Sequence, residues 1–146
     1  MRRLRKAVLV LSVLAMLMLP LPVLAAYSGI SPPSPGSPGY ETMTFNLTGT
    51  VSASTAGIIN FKLPWPATLV QVQAAAQAIT GGAATLDVKE AGTTVLSSVI
   101  TLTTAGQVYE GTIGDASLAK DAAITINLTV TTSIANGTIV LVLKRK

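Results

Sequence analysis

The chain has 146 residues, of which 49% are hydrophobic and 11% are charged, and it contains no cysteine and no histidine. That composition excludes disulfide frameworks, thiolate nucleophiles, imidazole acid/base catalysis and the common zinc ligands. The formal net charge is +4, and its source lies in the first six residues.

The N-terminus has the pattern of a secretory signal. The basic segment MRRLRK precedes the apolar run AVLVLSVLAMLMLPLPVLAA, which ends with small residues at the positions that a signal peptidase recognises. We therefore predict that residues 1–26 are a Sec-type signal peptide. The alternative is a retained membrane anchor, since about 20 apolar residues can span a bilayer. Pro20 and Pro22 favour cleavage, because they suit the end of a signal better than the middle of a membrane helix.

Removal of the signal changes the charge balance. Four of the ten basic residues lie within 1–26, and the other six balance the six acidic residues. The remaining chain is formally neutral, so we expect no nucleic-acid partner, which would require a basic face. Three of its positive charges form the terminal KRK, a pattern typical of a solubilising end or of a guard on an edge strand.

Residues 27–39, YSGISPPSPGSPG, are rich in proline, serine and glycine. Such a segment cannot bury enough apolar area to offset its ordering entropy, so we predict a semi-extended arm. Its two PxxP spacings have no basic residues beside them, which favours a spacer over a ligand for an SH3-type domain.

From residue 40 onward, apolar residues alternate with polar ones. The pattern is clearest in ITINLTVT, where Ile124, Ile126 and Leu128 share one face, and this is typical of a half-buried antiparallel strand. Glycine-containing turns separate the runs. Further strands are predicted over residues 43–53, 58–63, 69–79, 84–90, 94–102, 108–113 and 138–143.

These features predict an all-β domain over residues 40–146. About eight short antiparallel strands with one turn between each pair indicate a single β-sandwich of jelly-roll or immunoglobulin-like topology. The pattern does not distinguish the two topologies. Residues 114–123 are predicted to hold a helical turn, with Asp115 as its N-cap.

Two predicted strands differ from the rest. TIVLVLK is apolar on both faces, which places it in the centre of a sheet or beneath a neighbour. In VQVQAAAQA, Val70, Val72, Ala74, Ala76 and Ala78 are predicted to point inward. Gln71, Gln73 and Gln77 then form a flat, uncharged outer face, which we interpret as a candidate subunit-contact face.

Trp65 is the only tryptophan, and it lies between two prolines in FKLPWPA. Phe61 and Leu63 are predicted to be inward, and period two places residue 65 on the same side as the prolines end the strand. We predict that Trp65 is a lid on one end of the core, with an exposed binding residue as the alternative.

The residues capable of chemistry form no specific motif. Ser117 and Lys120 have the S-x-x-K spacing, but the S-D-N and K-T-G partners of that motif are absent. Asp87, Glu90 and Glu110 are too scattered to predict a glycosidase pair. A cap and an exposed charge explain Asp115 and Asp121 better than calcium does. We expect no catalytic residue, no metal, no cofactor and no small-molecule substrate.

The run from residue 61 to the C-terminus resembles a small β-sandwich domain of phage virion surface proteins, such as head decorations and fibre-like proteins. The pieces that carry the resemblance are LPWPATLVQVQA, TLDVKEAGTTVLSS, YEGTI and the closing VLVLK. The resemblance implies a structural, oligomerising protein without an active site. The signal peptide departs from that pattern, because a phage protein assembled in the cytoplasm needs none.

Two functions follow as expectations. The first is a non-enzymatic structural subunit, secreted or on a virion surface, that self-associates or assembles with other structural subunits on a particle or filament. The alternative is a secreted cell-surface, carbohydrate- or protein-binding module. With either function, the protein would contact a membrane only if residues 1–26 were retained as an anchor.

Overall fold

The computed structural model describes residues 25–27 and 39–146. The predicted signal peptide and arm lie outside the described residues, apart from Ala25 to Tyr27 and Gly39. The described chain is all-β and has no helix. No helix long and apolar enough to cross a membrane is therefore found in the described residues.

Eleven strands form in the described residues. They are β1 (Ala25–Tyr27), β2 (Tyr40–Val51), β3 (Thr55–Lys62), β4 (Ala67–Thr80), β5 (Ala84–Glu90), β6 (Thr93–Thr94), β7 (Ile100–Leu102), β8 (Val108–Glu110), β9 (Ser117–Leu118), β10 (Ala123–Val130) and β11 (Ser133–Arg145).

The strands form two antiparallel sheets. Sheet A has the order β1-β2-β11-β4-β8, and β9 pairs with a different part of β4. Sheet B has the order β3-β10-β5-β6, and β7 pairs with a different part of β5. The short strands β6 and β7 share one edge of sheet B, and β8 and β9 share one edge of sheet A. If each such pair is counted as one position in its sheet, the strands after β1 fill eight positions. The predicted sandwich of about eight antiparallel strands is confirmed.

The connections have the order of a jelly roll. When the eight positions are followed in chain order, the chain crosses to the other sheet at every step except the step from β5 to β6. An immunoglobulin sandwich instead keeps several hairpins within one sheet. Strand order therefore selects the jelly roll from the two predicted topologies.

The core lies between the inner faces of the two sheets. In β10, Ile124, Ile126 and Leu128 are at most 1% exposed, as the alternation predicts. The rings of Phe45 in sheet A and Phe61 in sheet B lie 5.4 Å apart. All buried apolar residues fall between positions 43 and 143, so residues 39–146 contain the whole described core.

The inward set predicted for β4 is partly wrong. Leu143 and Val142 of β11 pair with Leu69 and Gln71, so Val70 is an extra residue in a β-bulge. It is 43% exposed, whereas Leu69 is buried. A bulge shifts the alternation by one residue, and this shift removes Val70 from the core.

The prediction for Ala78 is also wrong. Asn136 of β11 has a φ of 48°, and at this point β11 buries residues three apart, Ile134 and Gly137, instead of two apart. The paired strand β4 follows, burying Ala76 and partly burying Ile79. Ala78 is therefore exposed.

One further expectation fails, and one of two alternatives is excluded. Residues 114–123 form the short strand β9 and a turn instead of a helical turn. Asp115 Oδ1 accepts a hydrogen bond from the Ser117 N–H at 2.9 Å, so the carboxylate caps a turn.

The terminal KRK does not guard an edge, because β11 lies between β2 and β4. That central position is the one that its two apolar faces predict.

Candidate subunit-contact surface

The outer side of sheet A carries the predicted contact residues. We call its central rows the sheet A face. Each row takes one residue from β2, one from β11 and one from β4, according to the strand registers. The rows are Thr42, Val142 and Gln71; Thr44, Val140 and Gln73; and Asn46, Thr138 and Ala75.

The nine residues of the sheet A face are uncharged. Thr138 donates from Oγ1 to Asn46 Oδ1 at 3.2 Å. Glu110 of β8 lies beside Gln73 in the register, and it accepts a hydrogen bond from Gln71 Nε2 at 3.1 Å. Lys144 lies at one end, 5.9 Å from the centre of the Tyr40 ring. Charge is therefore confined to the rim of this face.

The structure separates the three predicted glutamines. Gln71 and Gln73 are half-buried in neighbouring rows of the sheet A face. Gln77 lies beyond the last row and is exposed, and its Oε1 accepts a hydrogen bond from Asn136 Nδ2 at 3.0 Å. The structure thus brings Gln71 and Gln73 together and places Gln77 apart from them, beside Asn136.

Sequence reasoning missed the centre of this face. Val140 and Val142 form its apolar middle, and both are half-buried. The two apolar faces of TIVLVLK were the available signal for them. That pattern showed that β11 is central, but it did not show that its outer valines lie beside the glutamines of β4.

A shallow depression of about 190 Å³ adjoins the sheet A face. The turn that holds Gly106 forms one wall, fixed by a hydrogen bond from the Gly106 N–H to the Ala76 carbonyl at 2.8 Å. The lining offers amide, hydroxyl and backbone groups and no titratable side chain. Its residues are Ala75, Ala76, Gln77, Gly106, Asn136 and Thr138.

The outer side of sheet B is different in character. Lys89 Nζ lies 3.8 Å from Asp87 Oδ2, and Thr94 donates from Oγ1 to the other oxygen of Asp87. Asn127 Oδ1 accepts the Gly57 N–H at 2.6 Å. Charged groups thus occupy the middle of this side, where the sheet A face has valines.

Trp65 lies at one end of the sandwich, partly buried against the core. The guanidinium of Arg145 lies 4.6 Å from the centre of its ring, and the Lys146 N–H donates to the carbonyl of Pro66 at 3.2 Å. The indole Nε1 is buried and has no acceptor among the described residues. The ring therefore lies between the core and the end of the chain.

Tyr109 has a lowered pKa, and its cause is a set of hydrogen bonds to the phenolic oxygen. Its phenolic oxygen contacts Thr103 Oγ1 at 2.8 Å, the Thr103 N–H at 3.2 Å and the Thr104 N–H at 2.8 Å. Hydrogen bonds from Thr103 and then Thr104 lower the pKa of Tyr109 to about 8, against a smaller opposing effect of burial. The phenol also donates to Gln107 Oε1 at 3.2 Å, so Tyr109 holds the turn that walls the depression.

The serine and the lysine of the S-x-x-K spacing contact other residues. Ser117 Oγ accepts a hydrogen bond from Lys146 Nζ at 2.7 Å, whereas Lys120 Nζ lies 3.8 Å from Asp121 Oδ2. Within residues 25–27 and 39–146, no three acidic residues cluster in a way that suits a metal ion.

Comparison with known proteins gives no relative. The chain matches no protein family, and neither a curated protein nor a solved structure shows significant similarity to it.

Proposed function

We propose that the protein is a non-enzymatic structural subunit that self-associates through the sheet A face. The observation that carries the proposal is the row of Val140 between Thr44 and Gln73, an apolar centre within an uncharged surface. Surfaces of monomeric proteins usually intersperse charges of both signs, which keeps copies apart. The sheet A face has its charges only at the rim, as interfaces commonly do.

A virion or an extracellular filament is the assembly we propose, in keeping with the predicted secretion signal and with the resemblance to phage surface domains. A retained N-terminal segment would place the same domain on a membrane surface. In each case the sandwich serves as a rigid building unit.

The aromatic residues support a structural role over carbohydrate binding, which requires exposed rings that converge on one face. Phe45 and Phe61 stack in the core. Arg145 covers Trp65, and Tyr109 holds a turn. Among the aromatic rings of residues 39–146, only Tyr40 is largely exposed, at 67%.

The proposal is tested by placing a charge in the centre of the sheet A face. Val140→Lys in a chain of residues 27–146 should shift the protein from oligomer to monomer in size-exclusion chromatography with light scattering. Thr129→Lys is the matched control, because Thr129 is an exposed residue of the central strand of sheet B. A parent chain that stays monomeric at high concentration would contradict the proposal.

A further inference from the structure

The β2 edge of sheet A already accepts an added strand. Strand β1 pairs antiparallel with β2, with Ala25 opposite Leu47, Ala26 opposite Asn46 and Tyr27 opposite Phe45. These three pairs cover a small part of the twelve-residue strand β2. Sheet A therefore has an edge that is competent for strand addition.

The other described edges are protected against such pairing. The opposite edge of sheet A is split into β8 and β9, and one edge of sheet B is split into β6 and β7. The β3 edge is irregular where β10 shifts register between Ile126 and Leu128, and it ends in Lys62. Short strands, bulges and lysines are the usual guards of sheet edges.

The β2 edge has few of these guards. Its register with β11 is continuous from Tyr40 to Leu47, and within this stretch Glu41 is the single charged residue and proline is absent. Strand β1 is the cover that the structure shows on this side of β2.

The predicted signal boundary falls inside that cover. Cleavage after residue 26 removes Ala25 and Ala26 and so leaves one of the three residues of β1. The pairs with Leu47 and Asn46 are then lost. The precursor and the processed chain would thus differ in their β2 edge.

We propose that removal of residues 1–26 opens the β2 edge, which then pairs antiparallel with the β2 edge of a second copy. This inference rests on the proposed function, because it names one of the contacts by which the subunit assembles. Pairing around a two-fold axis brings identical segments together. Retained β1 keeps the precursor from pairing before export.

The sequence of β2 suits pairing with itself. In an antiparallel register that keeps buried residues opposite buried residues, Thr42, Thr44 and Asn46 face one another across the interface. If the two-fold axis passes beside residue 43, 44 or 45, Glu41 of one copy lies opposite residue 45, 47 or 49 of the other copy. The two Glu41 carboxylates therefore do not meet. Such pairing also joins two copies of sheet A and extends the sheet A face across both.

Disulfide trapping tests the inference, because the chain has no cysteine of its own. Thr42→Cys, Thr44→Cys and Asn46→Cys are made singly in two chains. One begins at Pro22 and keeps β1, and the other begins at Tyr27. Both retain residues 39–146 and hence the whole described core.

At least one of these cysteines should cross-link into a dimer in the chain that begins at Tyr27. Cross-linking should be about tenfold slower or more in the chain that keeps β1, because a tethered strand competes at an effective concentration near millimolar. Thr129→Cys is the matched control. It is exposed on the outer side of sheet B, away from both the β2 edge and the sheet A face, so it should not cross-link efficiently in either chain.

Hydrogen exchange of the unmodified chains gives an independent measurement. Amides of residues 40–47 should exchange more slowly on assembly in the chain that begins at Tyr27. Assembly without edge cross-links and without this protection overturns the inference and leaves the proposed function standing. A chain that is monomeric under all conditions overturns both.

Discussion

The guanidinium of Arg145 lies 4.6 Å from the centre of the Trp65 ring, so the last residue of β11 covers the indole that follows β3. The strand β11 is central in sheet A, whereas β3 is an edge of sheet B. The contact therefore ties the two sheets together at one end of the sandwich. A cation over an indole face is attractive by about 0.5–1 kcal/mol at an exposed site.

Trp65→Ala should lower the free energy of unfolding by about 2–3 kcal/mol, less than a fully buried tryptophan would cost. The variant loses the packing of the ring against the core and the contact with Arg145. Urea denaturation followed by circular dichroism measures the change, because the variant lacks the only tryptophan of the chain.

Trp65→Phe is the matched control for that variant. It keeps an aromatic ring and removes the buried Nε1, which has no acceptor in the described part of the chain. We expect a loss of about 1 kcal/mol or less, because removing an unsatisfied donor offsets part of the lost packing. Equal losses in the two variants would show that the indole nitrogen has a role the contacts do not explain. Neither variant should alter the oligomeric state.

Asn136 joins three strands of sheet A at the position where the alternation changes. Its Oδ1 accepts the Gly49 N–H at 3.0 Å, and its Nδ2 donates to Gln77 Oε1 at 3.0 Å. Asn136→Ala should cost about 1–2 kcal/mol, because it loses both hydrogen bonds and keeps a Cβ at a positive φ. Asn136→Gly should cost about half as much, since glycine relieves the backbone strain. Thermal unfolding orders the two variants, and equal losses would show that the hydrogen bonds dominate.

The fold class was predictable because alternation reports directly on burial. The inward residues of β10 are a clear case, since Ile124, Ile126 and Leu128 all lie in the core. Alternation between buried and exposed positions needs no knowledge of which strand is the neighbour. The jelly-roll order does need that knowledge, and for this reason the sequence left two topologies open.

The errors arise where one strand depends on another. The bulge at Val70 is set by the register of β4 against β11, and the exposure of Ala78 follows from the backbone of Asn136 on that neighbour. The bonds of Tyr109 to Thr103 and Thr104 link β8 to the turn before it. A single-strand pattern contains no information on such contacts. The apolar centre of the sheet A face was missed for the same reason, because its rows combine three strands.

Gly81 and Gly92 provide a matched test of turn packing. Both have a positive φ, 71° and 89°. A Cβ added at Gly81 would clash with Thr132 Oγ1, whereas one at Gly92 would meet no atom within 4 Å. Gly92→Ala should therefore cost about 1 kcal/mol from backbone strain alone.

Gly81→Ala should cost about 2–3 kcal/mol, since Thr132 must also move from its position. That movement breaks the hydrogen bond from Thr132 Oγ1 to the Gly81 carbonyl. Adding Thr132→Ala should recover part of the loss, and a double-mutant cycle measures this coupling. Additive losses would show that the clash is relieved elsewhere.

The phenol of Tyr109 should titrate well below an ordinary tyrosine. Its pKa is lowered to about 8, first by Thr103 and then by Thr104, against about 10 in an unfolded chain. Absorbance at the phenolate band should show one group ionising near pH 8. Tyr109→Phe should abolish that step.

The same shift makes the contribution of Tyr109 to stability depend on pH. Because the folded pKa lies below the unfolded value, the stabilisation is absent below pH 8, grows between pH 8 and pH 10 and is complete above pH 10. The stability of the parent chain relative to Tyr109→Phe should therefore rise as the pH is raised through this range. Denaturation of both chains at pH 7, 8.5 and 10 measures the difference. A difference that stays constant would mean that the bonds from Thr103 and Thr104 do not favour the phenolate.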